Sequence, residues 1–268
     1  TRLDVSQNTA LTELLCSSNQ LKKLDLGNNT KLQTAYVGCQ KDASGNAQTI
    51  LVKRGSLAVS VFPGLGADSG LNYMVSFVIN ISIPDANFKA YLVQKFDTDK
   101  DGEISTEEAS TVTTIFCPNK DISSLEGIGY FTSLTEVICF SNHQLASLDL
   151  SKNTALKIIN IEDCQIANLD VGKNTSLTNL YCRSNKLTSL DVSKNTALTS
   201  LDCSNNQLTV LDASTMANPS GFSLYCGQQA TSGGSIITLS LTLLDAQKDH
   251  WNTLKADAYN SNVSVTYK

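Results

Sequence analysis

The stretch FDTDKDGEISTEE (96–108) places oxygen ligands at the spacing that a hard divalent cation needs. Counting from Asp97, positions 1, 3 and 5 are Asp97, Asp99 and Asp101, and Gly102 supplies the sharp turn that follows. Glu103 offers its backbone carbonyl, Ser105 stands at position 9, and Glu108 is the bidentate ligand at position 12. Ile104 fills the apolar position 8. Carboxylates in this number favour Ca2+ over zinc. The alternative reading is an acidic, solvated turn.

The flanks decide what such a loop could do. Residues 84–96, PDANFKAYLVQKF, predict a helix, with Pro84 in its first turn and Phe88, Leu92 and Phe96 repeating at i, i+4. After Glu108 the chain runs through EASTVTTIFC into a strand pattern, which leaves room for one or two turns of exit helix. A calcium sensor swings a long exit helix to expose a Met-rich groove. The methionines here are Met74 and Met216, neither near the loop, so a fixed structural role is expected.

Most of the remaining chain repeats. The block LTNLYCRSNKLTSLDVSKNTA (177–197) recurs in register at 11–31 and 156–176, and again from Leu198. The block at 134–155 carries one extra residue, and less regular members start at Leu32 and Val112. The first half of each unit fits L-x-x-L-x-L-x-x-N/C-x-L and resembles the leucine-rich-repeat family. One unit cannot bury its own apolar side, whereas stacked units bury a continuous core. By strand alternation, positions 4 and 6 point inward while 3, 5 and 7 face the concave side. Cys16, Cys117, Cys139, Cys182, Cys203 and Cys226 fall at inward position 6. They read as small buried hydrophobes in preference to a redox or metal ladder. Position 9 is Asn19, Asn142, Asn185 and Asn206, with Cys164 in one unit, and its amide can bond to neighbouring backbone. Asp25, Asp149, Asp170, Asp191 and Asp212 recur at the bend after the strand, where a carboxylate can accept turn N–H groups.

Totals exclude several classes. Net charge is −5 with no Lys/Arg cluster, which argues against nucleic acid or an anionic membrane as partner. The longest apolar run, MVSFVINISI (74–83), is far short of the roughly 20 residues that span a bilayer. The 8 cysteines form no C-x-x-C pair, and the histidines are His143 and His250 alone. A catalytic triad or His-based zinc site has little material.

The first residues, TRLDVSQNTA, are the second half of a repeat, so further chain is expected before Thr1. YVGCQ (36–40) and YCGQQ (225–229) match, as do TILV (49–52) with TLSL (238–241) and VSFVI (75–79) with VSVTY (263–267). Both segments read as closing caps whose middles differ: DAQKDHWNTL predicts helix, whereas SLAVSVFPGLG does not. The expected organisation is the tail of a first repeat unit at 1–82, a helical cap at 83–111, repeats at 112–221 and a closing cap at 222–268. The expected fold is an α/β leucine-rich-repeat solenoid of short parallel strands, with a helical cap and β-rich closing caps, in two tandem units, the first truncated.

Residues 83–137, IPDANFKAYL to GIGYFTSLTEV, resemble the EF-hand-like N-terminal cap of internalin-type repeat proteins. The repeats with LDVSKNTALTSLDCSNNQL look like those of secreted or surface-anchored proteins of gut Bacteroidota. That resemblance implies an extracellular or cell-surface binding protein with no catalytic residues to carry over. Many such caps have a degenerate loop, whereas every ligand position is filled here.

The concave positions give Phe116, Ile138, Phe140, Ile158 and Tyr181 as an apolar and aromatic patch, rimmed by Glu136, Glu162, Arg183 and Asp202. A patch with a polar rim marks a protein-binding site. Equally, exposed aromatic and β-branched residues simply favour strands. Three functions stay open: recognition of a protein or glycan, a glycosidase using Glu136 and Glu162, and a spacer within a longer surface protein.

Overall fold

A computed structural model describes residues 3–16, 19–21, 23–29, 31–32, 34–36, 44, 50–54, 60–62, 75–217, 221–257 and 260–268. Residues 37–40, the Gly-rich stretch at 63–70 and Met74 lie outside this set. The chain divides into two compact units, Thr1–Ser82 with Glu103–Glu107 and Ile83–Gly102 with Glu108–Lys268.

In the first unit, successive strands fall alternately into two three-stranded parallel sheets. One contains β1 (Glu13–Leu15), β3 (Thr34–Tyr36) and β5 (Ser60–Phe62). The other contains β2 (Lys23–Asp25), β4 (Ile50–Arg54) and β6 (Val75–Ile79). Each coil of chain supplies a strand to both, so burial requires stacking of coils. Val5, Cys16, Leu21, Leu24, Leu26, Leu32 and Ala35 form the described core between them.

The second unit starts with helix α1 (Ala86–Phe96) and the six-residue α2 (Thr106–Thr111). Then come β7 (Thr114–Phe116), β8 (Glu136–Ile138), β9 (Ile158–Asn160), β10 (Asn179–Tyr181), β11 (Ser200–Asp202), β12 (Val210–Asp212) and β13 (Ser223–Tyr225). Strands β7 to β11 and β13 form one six-stranded parallel sheet, so the repeat sheet continues past residue 221 into the expected closing segment. β12 instead pairs with β14 (Leu239–Leu243), which pairs with β15 (Val263–Tyr267). The equivalent residues of earlier repeats in this unit, such as 147–149, form no strand. They lack the extended partner that β14 gives the last repeat. Helix α3 (Lys248–Leu254) takes the place corresponding to β5 and buries Trp251.

Hydrogen bonds to buried backbone set the spacing of the coils. In the second unit the eighth residue of each repeat turns left-handed: Asn119, Ser141, Asp163, Ser184, Asn205 and Gln228 have φ between 50° and 58°. Its amide reaches the following coil, as in Ser141 to the Glu162 carbonyl (2.9 Å) and Ser184 to that of Ser204 (3.1 Å). Position 9 closes the bend. Asn206 donates to the carbonyls of Cys182 and Cys203 (3.0 Å each) and accepts from the Leu187 amide (3.0 Å). Gln229 repeats this with Cys203, Cys226 and Leu208. Cys164, a poorer donor, reaches the Cys139 carbonyl only at 3.7 Å. The aspartates act as turn acceptors: Asp149, Asp170, Asp191 and Asp212 each accept the amide two residues on, at 2.8–3.0 Å.

A second ladder runs through the Asn of each K-N-T triplet. Asn174 donates to the Leu150 and Asn153 carbonyls (3.1 and 2.9 Å), and Asn195 donates to those of Val171 and Asn174 (3.0 and 2.9 Å). Asn29 does the same for Val5 and Asn8 in the first unit. All are buried, and Met216 ends the series in the last repeat.

Both ends of the six-stranded sheet are covered. Pro84 precedes helix α1, which starts after Asp85, so the proline lies outside the first turn where the sequence placed it. Asp85 is the N-cap: one carboxylate oxygen accepts the Phe88 amide (2.8 Å). The other accepts Ser123 N and Oγ (2.8 and 2.7 Å) and Ser124 N (3.1 Å), docking the helix onto the first repeat. Tyr91 from the same helix accepts the edge amide of Phe116 (2.8 Å). At the other end, Asn260 accepts the Cys226 amide (2.9 Å) and donates to the Leu224 carbonyl (2.9 Å). Residue 227 must be glycine there, because a Cβ would sit 2.5 Å from the Ser261 backbone.

Two outcomes are expected. Asn174→Ala strips two inter-coil bonds from buried carbonyls and should cost about 2–4 kcal/mol in chemical denaturation. A loss under about 1 kcal/mol would remove the ladder from the account of stability. For Asp85, burial pushes the carboxyl up, but the amides of Phe88, Ser123 and Ser124 and the Ser123 hydroxyl outweigh it and hold the group below its ordinary range. A depressed folded pKa means the contribution is full above the ordinary carboxyl value of about 3.9 and is lost as pH falls below it. The stability gap between the parent and Asp85→Asn should therefore be widest near neutrality and close in acid, read as paired urea midpoints across pH.

Candidate functional site: the cap loop and the open sheet face

In the cap, one carboxylate oxygen from each of Asp97, Asp99 and Glu108 lies within 4.8 Å of the others. The turn is held by its own amides. Gly102 (φ 81°) donates to Asp97 Oδ2 at 2.8 Å, and Asp101 donates to Oδ1 at 3.2 Å. Thr98 N and Oγ1 donate to Glu108 Oε1 at 2.8 and 2.9 Å, fixing position 12 against the start of the loop. Like charges this close repel by about 1 kcal/mol per pair even in high dielectric. An all-oxygen set in this arrangement suits a hard divalent cation. Asp101 is half-buried beside it. Glu103 and Ser105 group with the first unit. There Ser105 forms an antiparallel bridge with Asn80, and the Ile104 carbonyl accepts the Ile81 amide at 2.7 Å.

The six-stranded sheet presents every second side chain. In β8, Glu136 and Ile138 are half-exposed around buried Val137, and the same alternation holds in β9, β10 and β11. Parallel register aligns the side chains into rows across strands about 4.8 Å apart. The fifth-position row runs Phe116, Ile138, Asn160, Tyr181, Asp202, Tyr225. Phe116 is 55% exposed. Thus Phe116, Ile138, Phe140 and Ile158 gather on β7 to β9 and the residues just after β8. Tyr181 and Arg183 stand beyond Asn160, which interrupts the apolar run. Asn160 donates to Glu162 Oε2 (3.1 Å) and accepts the Glu162 amide (3.2 Å). The Tyr181 hydroxyl accepts from Asn179 Nδ2 (2.9 Å). Tyr225 was missed in the sequence because its strand lay within the expected closing segment. The match of SLYC (223–226) to NLYC (179–182) could have revealed it: Leu224 and Cys226 continue the inward pattern.

The charged part of this face has displaced acidity. Burial raises Glu162 most, with Asp202 and Asp163 adding to it, while the Asn160 bond and Arg183 oppose it. Burial likewise raises Asp202, aided by Asp257 and opposed by Ser204 and Arg183. Glu136 on β8 and Glu162, two residues past β9, are both half-exposed on this face.

Behind the face, Cys117, Cys139, Cys182, Cys203 and Cys226 are fully buried at the inward sixth position. The Sγ atoms of Cys117 and Cys139 stand 2.9 Å apart. Burial is the main force raising the thiols of Cys182, Cys203 and Cys226, and it pushes Cys164 up to about 11. The thiols therefore stay protonated and act as small apolar side chains.

No protein-family model matches the chain. Over 71 residues it is 38% identical to internalin J of Listeria monocytogenes serotype 4b (strain F2365), a match covering 26% of this chain and 8% of that protein. The solved functional domain of internalin J from Listeria monocytogenes, described as including a cysteine ladder, is 35% identical with a TM-score of 0.50. That match covers 60% of this chain and 36% of the solved one. A leucine-rich-repeat protein of Leptospira interrogans is 16% identical with a TM-score of 0.42, covering 98% of this chain and 67% of the other. The chain thus spans a small part of the curated relative and about a third of the solved domain. Among the described residues no helix is long and apolar enough to cross a membrane. Stacked parallel strands and a buried cysteine row make the chain a leucine-rich-repeat solenoid, similar over 60% of its length to the internalin J domain.

Proposed function

We propose that this chain is an extracellular or cell-surface recognition module that binds a protein partner on the open face of its six-stranded sheet, with a structural calcium ion in the cap. The observation that carries the binding reading is the row structure of that face. Phe116, Ile138, Phe140 and Ile158 form an apolar group, with Tyr181 and Arg183 beside it in a polar surround. Alternation along each strand buries one side chain and frees the next, so these residues contribute little to the core and remain available to a partner. The location follows from the resemblance to internalin-type surface proteins.

For calcium, the support is the loop spacing together with the three convergent carboxylates. Asp97, Asp99, Asp101 and Glu108 supply the charged ligands, and the ion offsets their mutual repulsion while joining the end of α1 to the start of α2. Helix α2 is only six residues long, which suits a fixed brace better than a swinging arm.

Two measurements test these readings. Thermal melts in excess Ca2+ and in chelator should differ, since ligand at about 100 times its Kd adds roughly 2.7 kcal/mol. Glu108→Gln should abolish the difference, and equal midpoints in the parent would remove the ion. For binding, capture of proteins from host and microbial surface extracts should fall at least tenfold for the Phe140→Ala, Tyr181→Ala double variant. Equal capture by a folded double variant would place the site elsewhere.

A further inference from the structure

The polar end of the sheet face carries a more specific arrangement than the apolar end. Asp202 is flanked in its row by two tyrosines, Tyr181 on β10 and Tyr225 on β13. Only one of its carboxylate oxygens is engaged by Ser204, whose amide and hydroxyl donate to Oδ1 at 3.0 and 2.6 Å. The surrounding charge is unbalanced. The third, fifth and seventh positions of the six strands hold Glu136, Glu162 and Asp202 against Arg183 alone, three negative and one positive. Asp257 adds a further negative charge near Asp202. A half-buried carboxylate flanked in register by two tyrosines, in a field of net negative sign, is complementary to a cationic side chain. The acid supplies the ion pair, and the ring faces add cation–π attraction.

We infer that the partner presents an arginine or lysine that seats at Asp202 between Tyr181 and Tyr225, with an apolar side chain packed at the Ile138–Phe140 end. This rests on the sheet-face reading above and adds a spacing to it. Asp202 and Ile138 share a row and lie three strands apart, about 14 Å at 4.8 Å per strand. Extended chain covers about 3.4 Å per residue, so the basic and apolar anchors should be separated by about four residues. The apolar group alone would accept many sequences. The cation seat makes the face selective and gives the bound segment a direction.

The test uses a random linear peptide library displayed on phage and selected on the intact protein. Selected peptides, remade synthetically, are titrated against the parent and three variants by fluorescence anisotropy. Asp202→Asn keeps the acceptor for Ser204 and removes the charge. Phe140→Asp disables the apolar end. Asp191→Asn removes an equal charge from an exposed turn off the sheet face. Peptides enriched in a basic residue about four positions from an apolar one, weakened at least tenfold by Asp202→Asn and unchanged by Asp191→Asn, are the expected result. Peptides lost to Phe140→Asp but indifferent to Asp202→Asn would overturn the cation seat and leave the sheet-face reading standing. Peptides indifferent to both would overturn the sheet-face reading and the cation seat together. Equal weakening by Asp202→Asn and Asp191→Asn would reduce the effect to general charge and also overturn the seat.

Discussion

A coil that turns every 21 residues buries backbone at each bend, and a buried N–H or C=O without a partner costs as much as a good hydrogen bond gains. This constraint governs the protein. Two rows of amide side chains meet it, one behind the strands (Asn142, Asn185, Asn206, Gln229) and one at the opposite bends (Asn153, Asn174, Asn195). Each amide of the second row bonds to carbonyls of the coil before it. The rows therefore set the distance between coils as well as the shape of each bend. Apolar burial drives stacking, but it is non-directional and would tolerate slippage. The amide rows do not, because a shift of one residue would orphan several carbonyls at once.

The same constraint explains the ends. A stacked sheet leaves an edge of unpaired backbone groups at each terminus, and such edges recruit other chains. Tyr91 and the Asp85-capped helix meet the first edge. Asn260, packed against a glycine that could carry no side chain, meets the last. The cap loop belongs to this logic: it joins α1, which carries Tyr91, to the short helix that leads into β7.

Function is left to the side chains the core does not need. On the strands, position 6 is buried and held by cysteine or, at residue 161, isoleucine, and burial raises the thiols of Cys182 and Cys203. Positions 3, 5 and 7 escape that demand and vary freely from Phe116 to Asp202. Apolar side chains gather toward β7 to β9, with Glu136 and Asn160 among them, and charge gathers from Glu162 to Asp202.

Periodicity in the sequence was sufficient for the repeat, the inward cysteines, the bend aspartates and the helix of the cap, because each depends on local spacing and on which side chains must leave water. The tertiary structure alone decided the rest. Asp85 reads as an ordinary helix cap until Ser123 and Ser124, 38 and 39 residues away, are found on its second oxygen. Val210–Asp212 becomes a strand, unlike its counterparts at 147–149, because β14 arrives beside it from 29 residues further along, at Leu239. Ser223–Tyr225 joins the repeat sheet for a similar reason, and its register sets Tyr225 against Asp202. The sequence names the members of each row. Which residues stand side by side across strands is a property of register, and register is fixed only when the coils pack.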